Sequence, residues 1–210
     1  MTASKIIFPS CYLAPVQWYS KLFQTDEITI EQHEHYVKQT WRNRARIIGA
    51  NGIQDLIIPV HARNHMAMHE VEINYEEDWQ RQHWQSIRSA YGNAPFFEYY
   101  ADYFSPFYEK KNWIKLVDYN AELVQLTLKL LKLQKKIVFT EEYLKSSEGT
   151  IDFRSLISPK TDVKEDVSFK PQRYVQVFEE RHGFIPTVSI LDLLCCEGPA
   201  SGEILRGINN

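Results

Sequence analysis

The stretch that decides the fold runs from Ile6 to Glu31 and has the sequence IIFPSCYLAPVQWYSKLFQTDEITIE. Its first residues, Ile6–Phe8, form a short apolar run that is typical of a buried strand. Pro15 is suited to the first turn of a helix, because the N–H group that proline lacks has no helical partner there. Trp18 and Leu22 give this helix an apolar face. The stretch therefore begins with a strand, a loop and a helix.

Apolar and polar residues alternate at the end of the same stretch. Ile28 and Ile30 are separated by Thr29 and followed by Glu31, which is the period-two pattern of a strand. A strand, a helix and a second strand in this order favour two parallel strands joined by a crossover. The N-terminal part of the chain is therefore predicted to be α/β.

A β-hairpin is predicted over residues 45–60. Ile47 and Ile48 precede Asn51-Gly52, and an apolar run that ends at Ile58 follows. Asn-Gly tolerates the positive φ angles of a type I′ turn, so it is the strongest short-range signal for a hairpin. Residues 71–73 are expected to form a further strand.

The middle of the chain is predicted to be helical. From residue 78 the apolar spacing changes to that of a helix, and Gly92 is its expected end. A second helix is expected from Pro95 with an interruption at Pro106, and a third has a continuous apolar stripe over residues 113–131. The stripe of the first helix consists of Trp79, His83, Ile87 and Tyr91.

The last third of the chain carries weaker signals. Residues 137–139 are expected to return to the sheet, residues 146–170 to form a long irregular loop, and residues 174–207 to contain two short helices. No internal repeat or linker interrupts the sequence, so one domain is predicted over residues 1–210. The predicted fold is α/β, a mixed sheet with a β-hairpin in the N-terminal half and a helical middle and C-terminal part.

Composition narrows the class of protein. The chain has 210 residues and a net charge of −3, which does not favour nucleic acid as a partner. No apolar run approaches the roughly 18 residues that a membrane span needs. The three cysteines, Cys11, Cys195 and Cys196, form no C-x-x-C pattern, and their odd number indicates the reducing cytoplasm. Cys11 would act as a nucleophile only beside a base.

The polar stretch Glu31–Arg46 is unlike the rest of the chain, because acids and histidines come first and four cations follow. Arginine binds phosphate or carboxylate through its planar fork, and an extended or a helical conformation would each concentrate the charge on one face. We therefore predict an anionic small-molecule ligand, such as a nucleotide-sugar or an acyl donor. The alternative is a solvated face that pairs with acids elsewhere. The four cations are Lys38, Arg42, Arg44 and Arg46.

The histidines of this stretch are the best candidates for acid–base chemistry. An imidazole titrates near neutral pH, so His33 and His35, with Glu34 between them, are predicted as the catalytic groups. A His-x-His pair on a strand also suits a metal, and a structural pair is a third possibility. We predict no metal site. The sequence contains no recognised cofactor motif, so the identity of any cofactor stays unknown. Three further histidines within residues 61–69 are expected to lie on a mobile loop.

Several stretches of the sequence resemble the WbqC-like family. The resemblance covers nearly the whole chain, and its specific part is KQTWRNR at residues 38–44. The family is bacterial and associated with surface-polysaccharide (O-antigen) gene clusters. The resemblance implies a transferase that modifies a sugar or glycan precursor, by acyl or aminoacyl transfer to an amino sugar. The matching stretches are residues 9–15 with Trp18-Tyr19, residues 33–44, 56–60, 83–87, 90–97 and 189–194, and Glu197-Gly198-Pro199.

On this interpretation the four cations hold the anionic donor or the sugar diphosphate. Tyr36, Asn43 and Tyr91 are expected to hydrogen-bond the sugar, with His35 or Glu34 as the base. The residues themselves predict the anion site, whereas the reaction class comes only from the resemblance.

Two other functions remain open at the level of sequence. The chain could be a non-catalytic module that binds a nucleotide-sugar, in which case ligand binds and no product forms. It could also be a scaffold in glycan assembly, because eight aromatic residues lie between Phe96 and Tyr108. A large exposed apolar patch there would favour the scaffold, and packing of these rings inside the domain would count against it.

Overall fold

Strands predominate before residue 79, and helices dominate from residue 79 onward. The structure is a computed structural model that describes residues 5–146 and 149–208. Its strands are β1 (Lys5–Pro9), β2 (Glu27–Glu31), β3 (Arg44–Gly49), β4 (Gly52–Ile57), β5 (Val60–His61), β6 (Glu72–Ile73), β7 (Lys136–Phe139) and β8 (Thr150–Asp152). Its helices are α1 (Val16–Ser20), α2 (Trp79–Tyr91), α3 (Phe97–Glu109), α4 (Leu116–Leu130), α5 (Glu179–His182), α6 (Ile190–Glu197) and α7 (Ser201–Gly207).

A parallel sheet of β7, β2, β1 and β8, in that order, is the centre of the described part of the chain. The predicted parallel pair is confirmed, because Ile7 of β1 lies opposite Thr29 of β2. The return of residues 137–139 to the sheet is confirmed by β7. The prediction of an irregular loop over residues 146–170 is wrong at β8, which pairs with β1. Three residues are too few to show an alternating pattern, so no sequence signal marks this strand.

The predicted hairpin is confirmed in β3 and β4, which pair from Arg44–Ile57 to Gly49–Gly52. Its two loop residues are Ala50 and Asn51, and Asn51 has no positive φ, so the type I′ turn expected at Asn51-Gly52 does not form. Gly52 has a φ of +104°, a conformation that glycine adopts without steric cost. The hairpin forms a sheet of its own instead of joining the parallel strands in one mixed sheet. Part of the free edge of β3 is occupied, because the N–H of Ser189 donates to the Arg46 carbonyl at 2.8 Å. The α/β class with a hairpin and helical middle and C-terminal parts is confirmed.

The three long helices follow the predicted apolar stripes. α2 ends at Tyr91, as expected from Gly92. α3 continues through Pro106 to Glu109, so the predicted interruption does not occur. The N–H of Lys110 donates to the Pro106 carbonyl at 3.2 Å, and this bond closes the last turn although Pro106 itself donates none.

The C-terminal segment packs into the same hydrophobic core as the sheet. Ser189 caps α6 by accepting from the N–H of Leu191 at 3.2 Å. The buried carboxyl of Asp192 in this helix accepts from Tyr174 Oη at 2.7 Å and Gln176 Nε2 at 2.8 Å. Both donors are neutral, and burial raises the pKa of Asp192 to about 6.

Candidate ligand-binding site

Three loops meet beyond the carboxyl ends of β1 and β2, which is where open α/β sheets commonly bind ligands. They comprise residues 10–15, 32–43 and 62–70. The N–H of Tyr12 donates to the Trp41 carbonyl at 2.8 Å and joins the first two loops. Antiparallel bonds join the second and third, from Tyr36 N–H to Met66 O at 2.8 Å and from Met68 N–H to Glu34 O at 2.9 Å.

Backbone strain is concentrated in these loops. Leu13, Gln39 and His65 have φ angles of +39°, +59° and +60°, one in each loop. Among the described residues, Lys132 is the other non-glycine residue with a positive φ. Such conformations cost of order 1–3 kcal/mol each and cluster at functional sites. The strain therefore marks the meeting point of the three loops as the candidate site.

Residues 32–36 follow β2 with bends at His33 and Glu34, and His35 forms an antiparallel bridge with Ala67. Arg42 binds the Glu34 carboxylate. His33 and His35 contact histidines of residues 61–69, which we call the histidine loop. The three predicted catalytic groups therefore have separate partners and do not converge on one point.

Glu34 and Arg42 form a buried ion pair. Arg42 Nε donates to Glu34 Oε1 at 2.8 Å and Arg42 Nη2 to Glu34 Oε2 at 2.6 Å, which is a bidentate arrangement. Burial raises the pKa of Glu34, and the Arg42 guanidinium opposes that shift. The predicted ligand contact at Arg42 is not supported, because Glu34 already occupies the fork of its guanidinium.

We call residues 38–46 the arginine segment. Its other cations either bind an acid of the protein or are exposed. Arg44 Nη1 and Arg46 Nε donate to the two carboxylate oxygens of Asp55 at 2.8 and 3.0 Å. The Arg46 guanidinium also lies over the Trp41 ring at 5.2 Å. Lys38 is exposed. Two acids, Glu34 and Asp55, thus neutralise half of the positive charge predicted for this segment.

The residues predicted to hold a sugar are mostly buried. Asn43 Nδ2 donates to the Ile58 carbonyl at 2.9 Å and anchors the hairpin. Tyr91 is completely buried near Asp192, so we assign it to the core instead of the ligand. Tyr36 is 9% exposed, and burial raises the pKa of its phenol to about 12. Only the edge of Tyr36 remains available to a ligand.

Histidines from two loops form two pairs. The rings of His33 and His69 lie 4.6 Å apart, and those of His35 and His65 lie 5.2 Å apart. His33 Nε2 donates to the Thr140 carbonyl at 3.0 Å, and His69 Nδ1 to the Gln32 carbonyl at 3.0 Å. These bonds fix both rings of the first pair. His35 and His65 are exposed.

Two residues that organise the site were not among the predicted site residues. Glu31 is fully buried at the end of β2 and accepts from His33 N–H, Leu144 N–H and Thr140 Oγ1 at 2.7, 2.7 and 2.9 Å. Arg154 follows β8, donates to Asp152, and has Nη1 3.9 Å from Glu31. Since β8 gave no sequence signal, nothing in the sequence placed Arg154 beside β2.

The described residues contain no group of three or more His, Cys, Asp or Glu side chains that could hold a metal ion. Cys11 is buried, and burial raises the pKa of its thiol. A thiol in that state is a poor nucleophile. Asn120 of α4 donates through Nδ2 to Ser10 Oγ at 3.0 Å and to the Arg42 carbonyl at 2.8 Å, and so ties two of the loops to a helix.

Fold and site together define an α/β protein with a loop-built pocket region at the carboxyl edge of a parallel sheet. The family model described as "WbqC-like protein family" matches residues 10–168, and the chain belongs to this family. It is 27% identical to the uncharacterized protein Rv1507c of Mycobacterium tuberculosis, over 95% of this chain and 96% of that protein. No solved structure matches the chain. None of the helices in the described ranges has the length and apolar content that a bilayer crossing requires.

Proposed function

We propose that this WbqC-like protein is a transferase that modifies a sugar or glycan precursor, by acyl or aminoacyl transfer to an amino sugar. The family supports the sugar and the surface-polysaccharide context. The observation that carries the proposal is the segment 32–36, which holds three ionisable side chains in a strained loop at the carboxyl end of β2. Such transfer needs positioning, a base and a donor for the oxyanion, without a cofactor.

His35 is the proposed general base. Its ring is exposed and contacts only the edge of His65 among the rings described, so an acceptor amine can reach it. Glu34 is occupied by Arg42, and one nitrogen of His33 by Thr140. In the reaction the amine nitrogen forms a bond to the donor carbonyl carbon and its proton passes to His35. The bond to the leaving group then breaks, and the leaving group takes that proton.

The other predicted residues take revised roles in this proposal. Arg42 positions the loop through Glu34. Lys38, Arg44 and Arg46 border the site, and the side chains of the two arginines are 20% and 22% exposed. They therefore retain some capacity to contact an anionic donor. Tyr36 offers its exposed edge to the sugar.

A product assay tests the proposed reaction. The protein is incubated with acyl-CoA thioesters and nucleotide-linked amino sugars, and products are identified by mass spectrometry. We expect His35→Ala to lose about 10²–10⁴-fold in rate, the usual contribution of a general base. His182→Ala is the matched control, because that ring donates to the Ala50 carbonyl away from the three loops. Full activity in His35→Ala would overturn the assignment of the base.

A non-catalytic module that binds a nucleotide-sugar is the second candidate. It is favoured by the locked Glu34 carboxylate and the buried Cys11 thiol, which leave two candidate reactive groups inactive. In that case the protein binds one of the assayed compounds, and no product forms with any acyl donor. The scaffold hypothesis has less support, because Phe97, Phe104 and Phe107 pack in the core while Tyr99 and Tyr103 are exposed.

A further inference from the structure

An open pocket of about 700 Å³ lies beside segment 32–36, between the histidine loop and the N-terminus of α4. Its lining is strongly polar and comes from segments that are distant in sequence. The ionisable side chains that line it are His61, Arg63, His65, Glu70, Glu72 and Lys115.

The acids of this pocket already have partners. Glu72 accepts from Lys115 Nζ at 2.8 Å, and Glu70 accepts from the Ala67 N–H at 3.1 Å. By contrast, the exposed side chains of Arg63 and His65 make no hydrogen bond or ion pair with another described residue. The groups that remain available to a ligand are therefore the Arg63 guanidinium and the His65 imidazole.

The backbone at His65 is the second observation. His65 is the third residue of the turn Arg63–Met66, in which the Met66 N–H donates to the Arg63 carbonyl at 3.3 Å. Its φ of +60° is one that glycine adopts freely and a histidine adopts at a cost. A histidine thus occupies a position where glycine would be less strained, and its imidazole faces the pocket. Backbone strain of this kind points to a ligand-binding role.

We propose that this pocket binds the phosphate group of a phosphate ester or diphosphate through Arg63 and His65. A guanidinium donates to phosphate oxygens through its planar fork, an imidazole N–H adds a further donor, and Asn64 between the two residues adds an amide donor. The His65 ring contacts His35, so the bound phosphate lies next to the proposed base. The inference rests on the proposed function only for the part of the ligand that carries the phosphate. Phosphate binding itself is measured without turnover.

Calorimetric titration with pyrophosphate, inorganic phosphate and a nucleoside diphosphate tests this site. We expect Arg63→Ala and His65→Gly each to raise Kd at least about tenfold, with no fall in Tm for His65→Gly because the strain is released. Lys132→Gly is the matched control, since Lys132 is an exposed cation with a φ of +56° elsewhere in the chain. Arg88→Ala is the control for loss of an exposed arginine. Both controls keep the wild-type Kd.

The three probes distinguish the source of the phosphate. Tighter binding of the nucleoside diphosphate than of pyrophosphate indicates a nucleotide ligand, and equal binding indicates recognition of the phosphates alone; both support the site. Unchanged affinity in Arg63→Ala and His65→Gly overturns the proposal, as does the absence of binding by all three probes to folded wild-type protein. Loss of binding with transfer activity intact, or the reverse, separates this proposal from the proposed function.

Discussion

The arginine segment and the histidine loop are both rich in nitrogen side chains, yet their environments are opposite. In the arginine segment, Arg42 is buried against Glu34, and Arg44 and Arg46 share Asp55. In the histidine loop, Arg63 and His65 are exposed beside a pocket and have no such partner among the described residues. A run of cations therefore shows where charge is present, but only the fold shows where charge is available to a ligand.

The hairpin register explains the neutralised charge. Arg46 lies directly opposite Asp55 in the β3–β4 pair, and Arg44 lies two residues earlier on the same face. One acid on β4 thus reaches two arginines on β3. The histidine loop itself contains no acid, and the neighbouring Glu70 and Glu72 already bind the Ala67 N–H and Lys115.

The largest difference between the two regions is expected in stability. Arg42→Ala leaves the buried Glu34 carboxylate without its partner, which should cost about 3–5 kcal/mol in the free energy of unfolding. At about 2–4 °C per kcal/mol this lowers Tm by roughly 6–20 °C. Arg63→Ala, which removes an exposed side chain, should stay within about 0.5 kcal/mol of wild type. Similar losses in both variants, by chemical denaturation, would remove the distinction.

Asp192 is a buried acid without a cationic partner, in contrast to Glu34, and its contribution to stability depends on pH. The pKa of Asp192 is about 6 in the folded protein and near 3.9 when unfolded, so the folded state binds its proton more tightly. Stability from this group is then present below about pH 4 and falls by about 3 kcal/mol as pH rises to about 6. Asp192→Asn should lack this decrease. The difference in unfolding free energy between variant and wild type, followed from pH 4 to pH 7, checks the sign.

The next largest effect on stability is expected when the acid that binds Arg44 and Arg46 is removed. Asp55→Asn removes the shared carboxylate, and because the pair is partly exposed the loss should be about 1 kcal/mol and smaller at high salt. It also frees Arg44 and Arg46, so new salt-sensitive sulfate binding is expected at the arginine segment. Calorimetry of Asp55→Asn combined with Arg63→Ala isolates that new site. No gain in binding would show that these arginines are not masked by Asp55.

The smallest expected effect on stability is at His65. Replacement by glycine relieves the left-handed backbone but increases the freedom of the unfolded chain, so the net change should lie between zero and a gain of about 1 kcal/mol. Gln39→Gly in the arginine segment relieves a comparable φ and should behave in the same way. A clear loss of stability in His65→Gly, measured by thermal unfolding, would mean that the imidazole supports the loop.

Sequence patterns were informative where local chemistry decides the structure. The Asn51-Gly52 dipeptide correctly predicted the hairpin. The alternation of Ile28 and Ile30 correctly predicted a parallel strand. The alternation could not reveal β8, because its three residues are held only by pairing with β1. A parallel partner from far along the chain leaves no local pattern.

The candidate site was predictable only in part. The segment around His33–Arg46 does lie at the carboxyl edge of the sheet, but the pairing of Arg42 with Glu34 depends on the path of the loop between them. The histidine loop was expected to be mobile because it lies between two predicted strands. Its contacts with His33 and His35 join residues 36 and 30 positions apart, so they depend on the tertiary fold. The strained φ of His65 is likewise invisible in the sequence.

The most direct test of the central claim is NMR of protein with labelled histidine rings and labelled arginine side chains during a pyrophosphate titration. The chain has 7 histidines, so each ring can be assigned by substitution. We predict that the resonances of His65 and His61 shift first and those of His35 follow, while the buried ring of His83 and that of His182 stay constant. Shifts confined to arginine side chains 42–46, with His61 and His65 unchanged, would contradict the account and return the ligand to the arginine segment.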